Sequence, residues 1–467
     1  MAGLLAAACG RGDDDEATGS TDPGETTSPT TGGPAQEAAG VFADLGAICG
    51  PTPEGMTLGE PDVGVTAESV QVGTISDPGF SGRPGLNQEL FDTAAAFTQW
   101  CNAAGGINGR RIELRERDAK LTEHQGRMID ACEEGDFMLV GGGGVFDDQG
   151  QKERLACGLP QIPGYVVTAS AIESDLTVQP VPNPVYSLPI GDLRWLGEQY
   201  PEATKKIGLL VLGVASTIAV AERYEEALAK LGWEVVYNEQ YNAAGEVSWR
   251  GYAEGLKSSG ARGVIWLGEP VNLAAVRKAM DEIEYHPDFV RTDANHYDDL
   301  LLSEGGSAVD NTFIRGTIYP FLDPELAAQN PATQAMLDIM AEYEPGGKVA
   351  YLGVMGFSGW LLFAKSATEC GADLTRDCLW EKVQAVTDWS GAGLHAPQDL
   401  ASRTASGCFM VIEARDGEFV LPDIGADEGI YRCDPDDTLA LTGDYGEGAK
   451  CENPAFADDP KPSNCAP

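Results

Sequence analysis

Two serines sit between glycines, the setting in which a serine most often turns nucleophile. "GFSGR" at 79–83 and "GFSGW" at 356–360 approach the Gly-x-Ser-x-Gly elbow, whose small flanking residues allow a sharp strand-to-helix turn. Both fail at the final glycine, where Arg83 and Trp360 stand. The four histidines, His124, His286, His296 and His395, fall in no His-Glu-x-x-His or comparable metal-ligand spacing. No Cys-x-x-Cys pair occurs, which argues against zinc ribbons and thioredoxin-type exchange. Acidic pairs abound, but in so acidic a chain they carry little information. Catalysis is therefore the least favoured reading, and neither metal nor cofactor is expected.

A binding loop is better marked. "FMLVGGGGVFDD" (137–148) runs from an apolar stretch into four glycines. Bare amides of Gly143, Gly144 and Val145 next to a helix start could face an anion, helped by the helix dipole. A tight turn with no ligand explains the glycines equally well. Phe146 stands where a dinucleotide fingerprint needs glycine, and no Gly-Lys-Ser/Thr follows to make a phosphate loop. A bulky side chain at Gly143 is expected to block the backbone approach to a solute with little change in melting temperature.

The elements that must position this loop alternate. "VQVGTI" (70–75) reads as a strand. Leu86, Leu90, Ala94, Phe97 and Cys101 recur at helical spacing. Gly105 and Gly106 end that helix in left-handed conformation, Asn108-Gly109 turns the chain, and "RRIELRERD" starts a second strand. Thr122 and Gln125 suggest a capping box for the next helix. The third strand is "FMLV", the third helix "DDQGQKERLACG" and the fourth strand "LPQIPGY". The same order restarts at "KKIGLLVLG" (205–213), with strands "WEVVYN", "RGVIWLG" and "DFVRTD" separated by helices near 248–259 and 271–284. Long helices follow at 331–343, 349–369 and 377–387. A hairpin turning at Asp416-Gly417 closes the pattern. Alternation of this kind predicts an α/β fold of two Rossmann-like lobes, each a parallel doubly wound sheet covered on both faces and joined by a hinge.

The chain has 467 residues and a formal net charge of −42, so a nucleic acid is a poor partner and the surface is built for solubility. No run of about 18 apolar residues is present to span a membrane. "GLLAAACG" resembles the end of a bacterial lipoprotein signal, which implies lipidation of Cys9; the bland alternative is a chance cysteine in an Ala-rich stretch. The Gly-, Asp-, Thr-, Ser- and Pro-rich residues that follow have little to bury and suit a tether. Residues 1–48 are thus expected to be leader remnant and disordered acidic linker, and 436–467 an irregular Cys-containing tail.

Eleven cysteines point to an oxidising compartment. With Cys9 set aside, ten suit five disulfides. In a 2-1-3-4-5 strand order, right-handed crossovers put the first helix on one face and the second and third side by side on the other. Cys132 and Cys157 then end neighbouring parallel helices and should pair. Cys101 is left for Cys49. Sequence proximity pairs Cys370 with Cys378, Cys408 with Cys433, and Cys451 with Cys465. Unbonded buried cysteines, acting as small apolar residues, are the alternative.

"NAAGGINGRRIEL" with Asp118 at the strand end resembles the first helix-to-strand junction of type I periplasmic binding proteins of the leucine/isoleucine/valine-binding kind. "YLGVMGFSGWLLFAKSATECGADLTRDCL" resembles their late helix pair. The likeness spans about 66–435 and implies a first lobe from 66–189 plus 320–400 and a second from 190–319 plus 401–435. It implies capture of a small solute, an amino acid or related carboxylate or amide, and delivery to the permease and ATPase subunits of an ABC importer. The chain would act as a monomer, lipid-anchored at the outer face of the bacterial cytoplasmic membrane or in the periplasm. A ligand-sensing role with a receptor or regulator is the alternative. Contact loops follow the strands. Candidate ligand contacts are Ser76 and Phe80, then Gly143, Gly144, Val145 and Phe146, then Thr168 and Ser170 as hydroxyl donors. In the second lobe, Glu269 and Asp293 face an ammonium, with Tyr297, and Tyr165 from the first, as packing surfaces. The family's amino-acid binders carry hydroxyl residues after strand three, where this chain has glycine, Val145 and Phe146.

Overall fold

The computed structural model describes residues 40–242, 245–426 and 429–451. Strand β1 (Ser69–Ser76) is followed by α1 (Glu89–Ala103), β2 (Arg111–Asp118), α2 (His124–Glu133), β3 (Met138–Val140), α3 (Gln151–Ala156) and β4 (Gln161–Ile162). The apolar stripe of α1 is buried through Leu90, Ala94, Phe97 and Cys101. The helix stops as its sequence dictates. Gly105 and Gly106 take φ of +116° and +81°, and the Gly106 amide reaches back to the Cys101 carbonyl at 2.8 Å. The four strands form one parallel sheet in the order β2-β1-β3-β4.

Two local expectations fail. The N-cap of α2 is Glu123 with no side-chain cap, and Gln125 instead donates to Glu153 on α3 at 2.6 Å. The third helix begins at Gln151, not Asp147, because the Asp147 carboxylate turns away to the Val167 and Thr168 amides and Gly150 sits at φ +84°.

After the short helix α4 (Ala169–Ile172), strand β5 (Ser187–Pro189) and α5 (Gly191–Gln199), the second sheet begins. It contains β6 (Ile207–Leu212), α6 (Ala215–Lys230), β7 (Val235–Tyr241), α7 (Arg250–Ser259), β8 (Gly263–Leu267), α8 (Pro270–Glu282), β9 (Phe289–Asp293), α9 (Asp299–Gly305) and β10 (Thr312–Gly316). Strands β7-β6-β8-β9-β10 are parallel, in the 2-1-3-4-5 order. Strand β10 and helix α5 are elements that alternation alone did not reveal. The chain then returns to the first sheet. Helices α10 (Pro324–Ala327), α11 (Pro331–Tyr343), α12 (Tyr351–Cys370) and α13 (Arg376–Gln384) follow, and both α11 and α12 pack on α1. The hairpin β11 (Cys408–Arg415) and β12 (Glu418–Val420) adds antiparallel strands beside β10, so this sheet is mixed at its edge rather than wholly parallel. Strand β13 (Arg432–Cys433) pairs with β11, and β14 (Thr438–Ala440) pairs with β5.

The two end boundaries need correction. Residues 40–48, expected in the linker, are folded: Phe42 and Ile48 are buried, a Val41–Ala47 bridge closes the loop, and Phe42 packs against Phe357. Residues 436–451, expected to be irregular, contain β14 and a strap in which Tyr445 bonds Glu226 on α6 and the Ala449 carbonyl accepts from the Asp175 amide. Disulfides join Cys49–Cys101, Cys132–Cys157, Cys370–Cys378 and Cys408–Cys433. Helices α2 and α3 lie side by side, while α1 packs on α11 and α12, which is the face assignment that pairs Cys132 with Cys157. Cys9 and Cys465, the proposed partner of Cys451, lie outside the described residues.

Candidate functional site

A cavity of about 260 Å³ lies where the loops after the strands of the two sheets meet. The first lobe contributes Leu86, Asn87, Val145 and Tyr165; the second contributes Arg223, Trp266, Glu269, Asp293 and Arg315; Tyr351 and Met355 on α12 also line it. This is the carboxyl-end position that open α/β sheets reserve for ligands.

Of the expected contacts, the structure brings Val145, Glu269 and Asp293 to this cavity, together with Tyr165. Ser76 stands one layer behind: its hydroxyl donates to the Asn87 carbonyl at 2.8 Å, and Asn87 lines the cavity. Phe80 lies half-buried in the turn after β1, outside the cavity. Tyr297 is a core residue, wedged between Phe321 and Phe419 at ring distances of 5.0 and 4.9 Å. Ser170 faces the C-terminal strap, its carbonyl accepting from Ala449. Thr168 stands at the N-terminal boundary of α4 without a side-chain cap bond, its amide turned to Asp147. Phe146 opens the turn closed by Gln149.

The four-glycine loop is a packed turn. The Gly143 amide donates to the Ile75 carbonyl at 2.8 Å and the Val145 amide to the Asp77 carboxylate at 2.9 Å, so neither is left for a ligand anion. Five residues separate Val145 from α3, which removes the helix dipole from the loop. A Cβ on Gly143 would stand 2.6 Å from the Tyr165 carbonyl oxygen, and one on Gly144 would stand 2.6 Å from the His124 ring. The glycines are there for close approach of β3's loop to its neighbours. The expectation that a bulky Gly143 would leave stability untouched does not survive this geometry.

The cavity's charges form two groups. At its mouth, Glu269, just before α8, is paired with Arg83 from the loop after β1, a contact that ties one lobe to the other. Deeper, Arg291 donates to Asp192 at 2.7 Å, lies 2.9 Å from the Asp293 carboxylate, and covers the Tyr224 ring at 4.8 Å. Tyr224 donates to Asp293 at 3.1 Å. Burial pushes Asp293 up, but Arg291 and Arg315 outweigh it and hold the carboxyl below its usual range. His296, also at the wall, is lowered to about 4 by burial and is neutral at pH 7. Arg223 and Arg315 are the side chains that sequence reading missed. Arg223 interrupts the apolar stripe Val220, Tyr224, Ala227 and Leu228 on α6, a signal that spacing alone contains; Arg315 sits on β10, which was not recognised as a strand.

The serine motif has a structural use. Ser358 lies on α12 in "GFSGW", and its hydroxyl donates to His395 Nε2 at 2.8 Å, because His395 Nδ1–H is directed to the Ala396 carbonyl at 2.9 Å. Trp389 donates to the same hydroxyl at 2.9 Å. Ser358 and His395 are both buried and neither lines the cavity. Among the described residues no group of three or more His, Cys, Asp or Glu side chains is placed to hold a metal ion, and no helix is long and apolar enough to cross a membrane.

Two α/β lobes with a cavity between the carboxyl ends of their strands define a two-lobed α/β fold. Residues 193–418 match the family described as periplasmic binding protein. Solved structures resemble the chain over most of its length. A fatty acid ABC transporter substrate-binding protein from Thermomonospora curvata has 16% identity and a TM-score of 0.63, covering 81% of this chain and 98% of its own. A leucine-binding protein from Thermotoga maritima has 13% identity and a TM-score of 0.61, covering 79% and 99%. A branched-chain amino acid transporter substrate-binding protein from Streptococcus pneumoniae, in complex with isoleucine, has 13% identity and a TM-score of 0.60, covering 76% and 100%. No curated protein matches the chain in sequence. The chain has the type I periplasmic binding protein fold, and residues 193–418 match the periplasmic binding protein family in sequence.

Proposed function

We propose that this protein is an extracellular solute-binding protein that captures a small solute, an amino acid or a related carboxylate or amide, between its lobes and delivers it to an ABC importer. The cavity lined from both lobes carries the reading: a ligand there contacts Tyr165 and Asn87 on one side and Arg223 and Asp293 on the other. Such a ligand stabilises the approach of the two lobes and couples its own binding to hinge closure. The Arg83–Glu269 pair adds a lobe-to-lobe contact available only when the lobes are close. The structural relatives support the role, since two of those named above are described as transporter substrate-binding proteins.

A thermal-shift screen against amino acids, short amides and small carboxylates tests it. A solute at 100 times its dissociation constant adds about 2.7 kcal/mol of stability, so one chemical class is expected to raise the melting temperature clearly. No shift with any class, together with native mass spectra showing no bound small molecule, would overturn the reading.

A further inference from the structure

We propose that the solute is an apolar monocarboxylate without an ammonium group, held at its carboxylate by Arg223 and Arg315. This rests on the solute-binding reading above and narrows it.

Three of the other buried arginines serve as internal ties. Arg110 donates to the carbonyls of Thr66, Gly371, Ala372 and Gly59. Arg376 reaches those of Phe137, Asp136, Cys157 and Gly158. Arg154 reaches three carbonyls and the hydroxyls of Ser174 and Thr177. Each of these guanidinium groups, with five N–H donors apiece, is used to tie loops together. Arg223 differs. It is 2% exposed, lines the cavity, and makes a single hydrogen bond among the described residues, to the Pro184 carbonyl at 3.1 Å. No carboxylate lies within ion-pair distance of it among those residues. Arg315, half-buried on β10, approaches Asp192 only at 3.8 Å, and its Nε has no hydrogen-bond partner.

Charge points the same way. Around the deep end of the cavity stand three cations, Arg223, Arg291 and Arg315, and two carboxylates, Asp192 and Asp293, both already engaged by Arg291. Glu269 belongs to Arg83, and His296 is neutral. Asp147 lies nearby, but its carboxylate accepts from the Val167 and Thr168 amides and does not line the cavity. A ligand carboxylate would complete this set with charge-assisted bonds. A ligand ammonium would have to compete with arginines for both of the cavity's carboxylates. The rest of the lining is apolar: Val145, Val166, Val181, Leu188, Val220 and Met355. An engineered cavity of about 150 Å³ accommodates benzene, so 260 Å³ has room for a branched aliphatic or phenyl group plus a carboxylate.

Matched pairs test this by titration calorimetry on the full chain: 4-methylpentanoate against leucine, and 3-phenylpropanoate against phenylalanine, with 4-methylpentanamide as the neutral control. The acids are expected to bind, and the amino acids and the amide at least tenfold more weakly. Losing one charge-assisted partner should weaken acid binding on the order of 10- to 100-fold in both Arg223→Gln and Arg315→Gln. The second variant keeps the test intact if the first does not fold. Tighter binding of an amino acid or the amide than of its acid overturns the inference and leaves the solute-binding reading standing. Acid binding that neither variant weakens overturns the assignment of the two arginines. If no probe binds at 10 mM, the inference falls, and the solute-binding reading is then decided by the wider screen.

Discussion

At the scale of single residues, the same amino acid does opposite things according to what surrounds it. Arg110, Arg154 and Arg376 are held by several carbonyls each and act as internal ties, whereas Arg223 lines a cavity and makes a single hydrogen bond among the described residues, to the Pro184 carbonyl. Gly143 is defined by its neighbour. A Cβ there would meet the Tyr165 carbonyl oxygen at 2.6 Å and the Tyr165 ring at 2.9 Å, and the first of these is backbone that cannot swing away. Overpacking of this kind costs about 1–3 kcal/mol. Gly143→Ala is therefore expected to lower the chemical-denaturation midpoint by that equivalent, and Gly143→Leu by more. An unchanged midpoint for Gly143→Leu would show that Tyr165 moves freely, contrary to its packed position beside the cavity.

At the scale of elements, the helices around the first sheet are held by covalent as well as apolar contact. Beside α2 and α3 lies a small cluster that includes Met128 and Ala131 of α2, Leu139 of β3 and Leu159 just after α3, with Cys132 and Cys157 packed against it. So few apolar residues offer limited stabilisation, and the Cys132–Cys157 bond closes a 25-residue span across it. In the chain-entropy account a loop of that size is worth about 3.5 kcal/mol. The double variant Cys132→Ser/Cys157→Ser should lose close to that amount in urea unfolding. Cys408→Ser/Cys433→Ser, in a bond joining β11 to β13 beyond the parallel core, provides a second 25-residue loop for comparison. Equal stability of the Cys132→Ser/Cys157→Ser variant and the parent would mean that the apolar cluster alone holds the pair.

At the scale of the whole molecule, several buried titratable groups contribute to the response to acid. His296 and His395 are each lowered to about 4 by burial, and His124 is lowered for the same reason. A histidine depressed in the folded state protonates first in the unfolded chain, so its contribution is complete above about pH 6.5 and is lost as pH falls through about 4. Each of the first two is worth on the order of 3 kcal/mol. Asp147 runs the other way. Burial pushes it up to about 6, so its contribution is present below about pH 3.8 and lost as pH rises through about 6. Three histidines outweigh one aspartate, and stability is expected to fall as pH drops from 7 to 4. The His395→Gln variant should show a shallower slope over that window. A midpoint that is flat or rising on acidification would contradict the balance drawn here.

What the sequence determined by itself is mostly periodic and local. The spacing of Leu90, Ala94, Phe97 and Cys101, the Gly105-Gly106 stop and the repeated alternation of strand and helix are enough for the α/β architecture, because each depends on backbone geometry within a few residues. The Cys132–Cys157 pairing was also legible, since crossover handedness is a rule of chirality and not of particular contacts. The binding wall was not. Whether a loop amide is free or engaged depends on partners distant in sequence, as with Val145 and Asp77. Glu269 and Asp293 were recognisable as strand-end carboxylates, but that Arg83 of the other lobe pairs with Glu269, and Arg291 of the same strand with Asp293, is decided only by the tertiary structure. The same holds for Arg223, whose place within an apolar stripe marks it as buried while only the tertiary structure gives it a cavity to face.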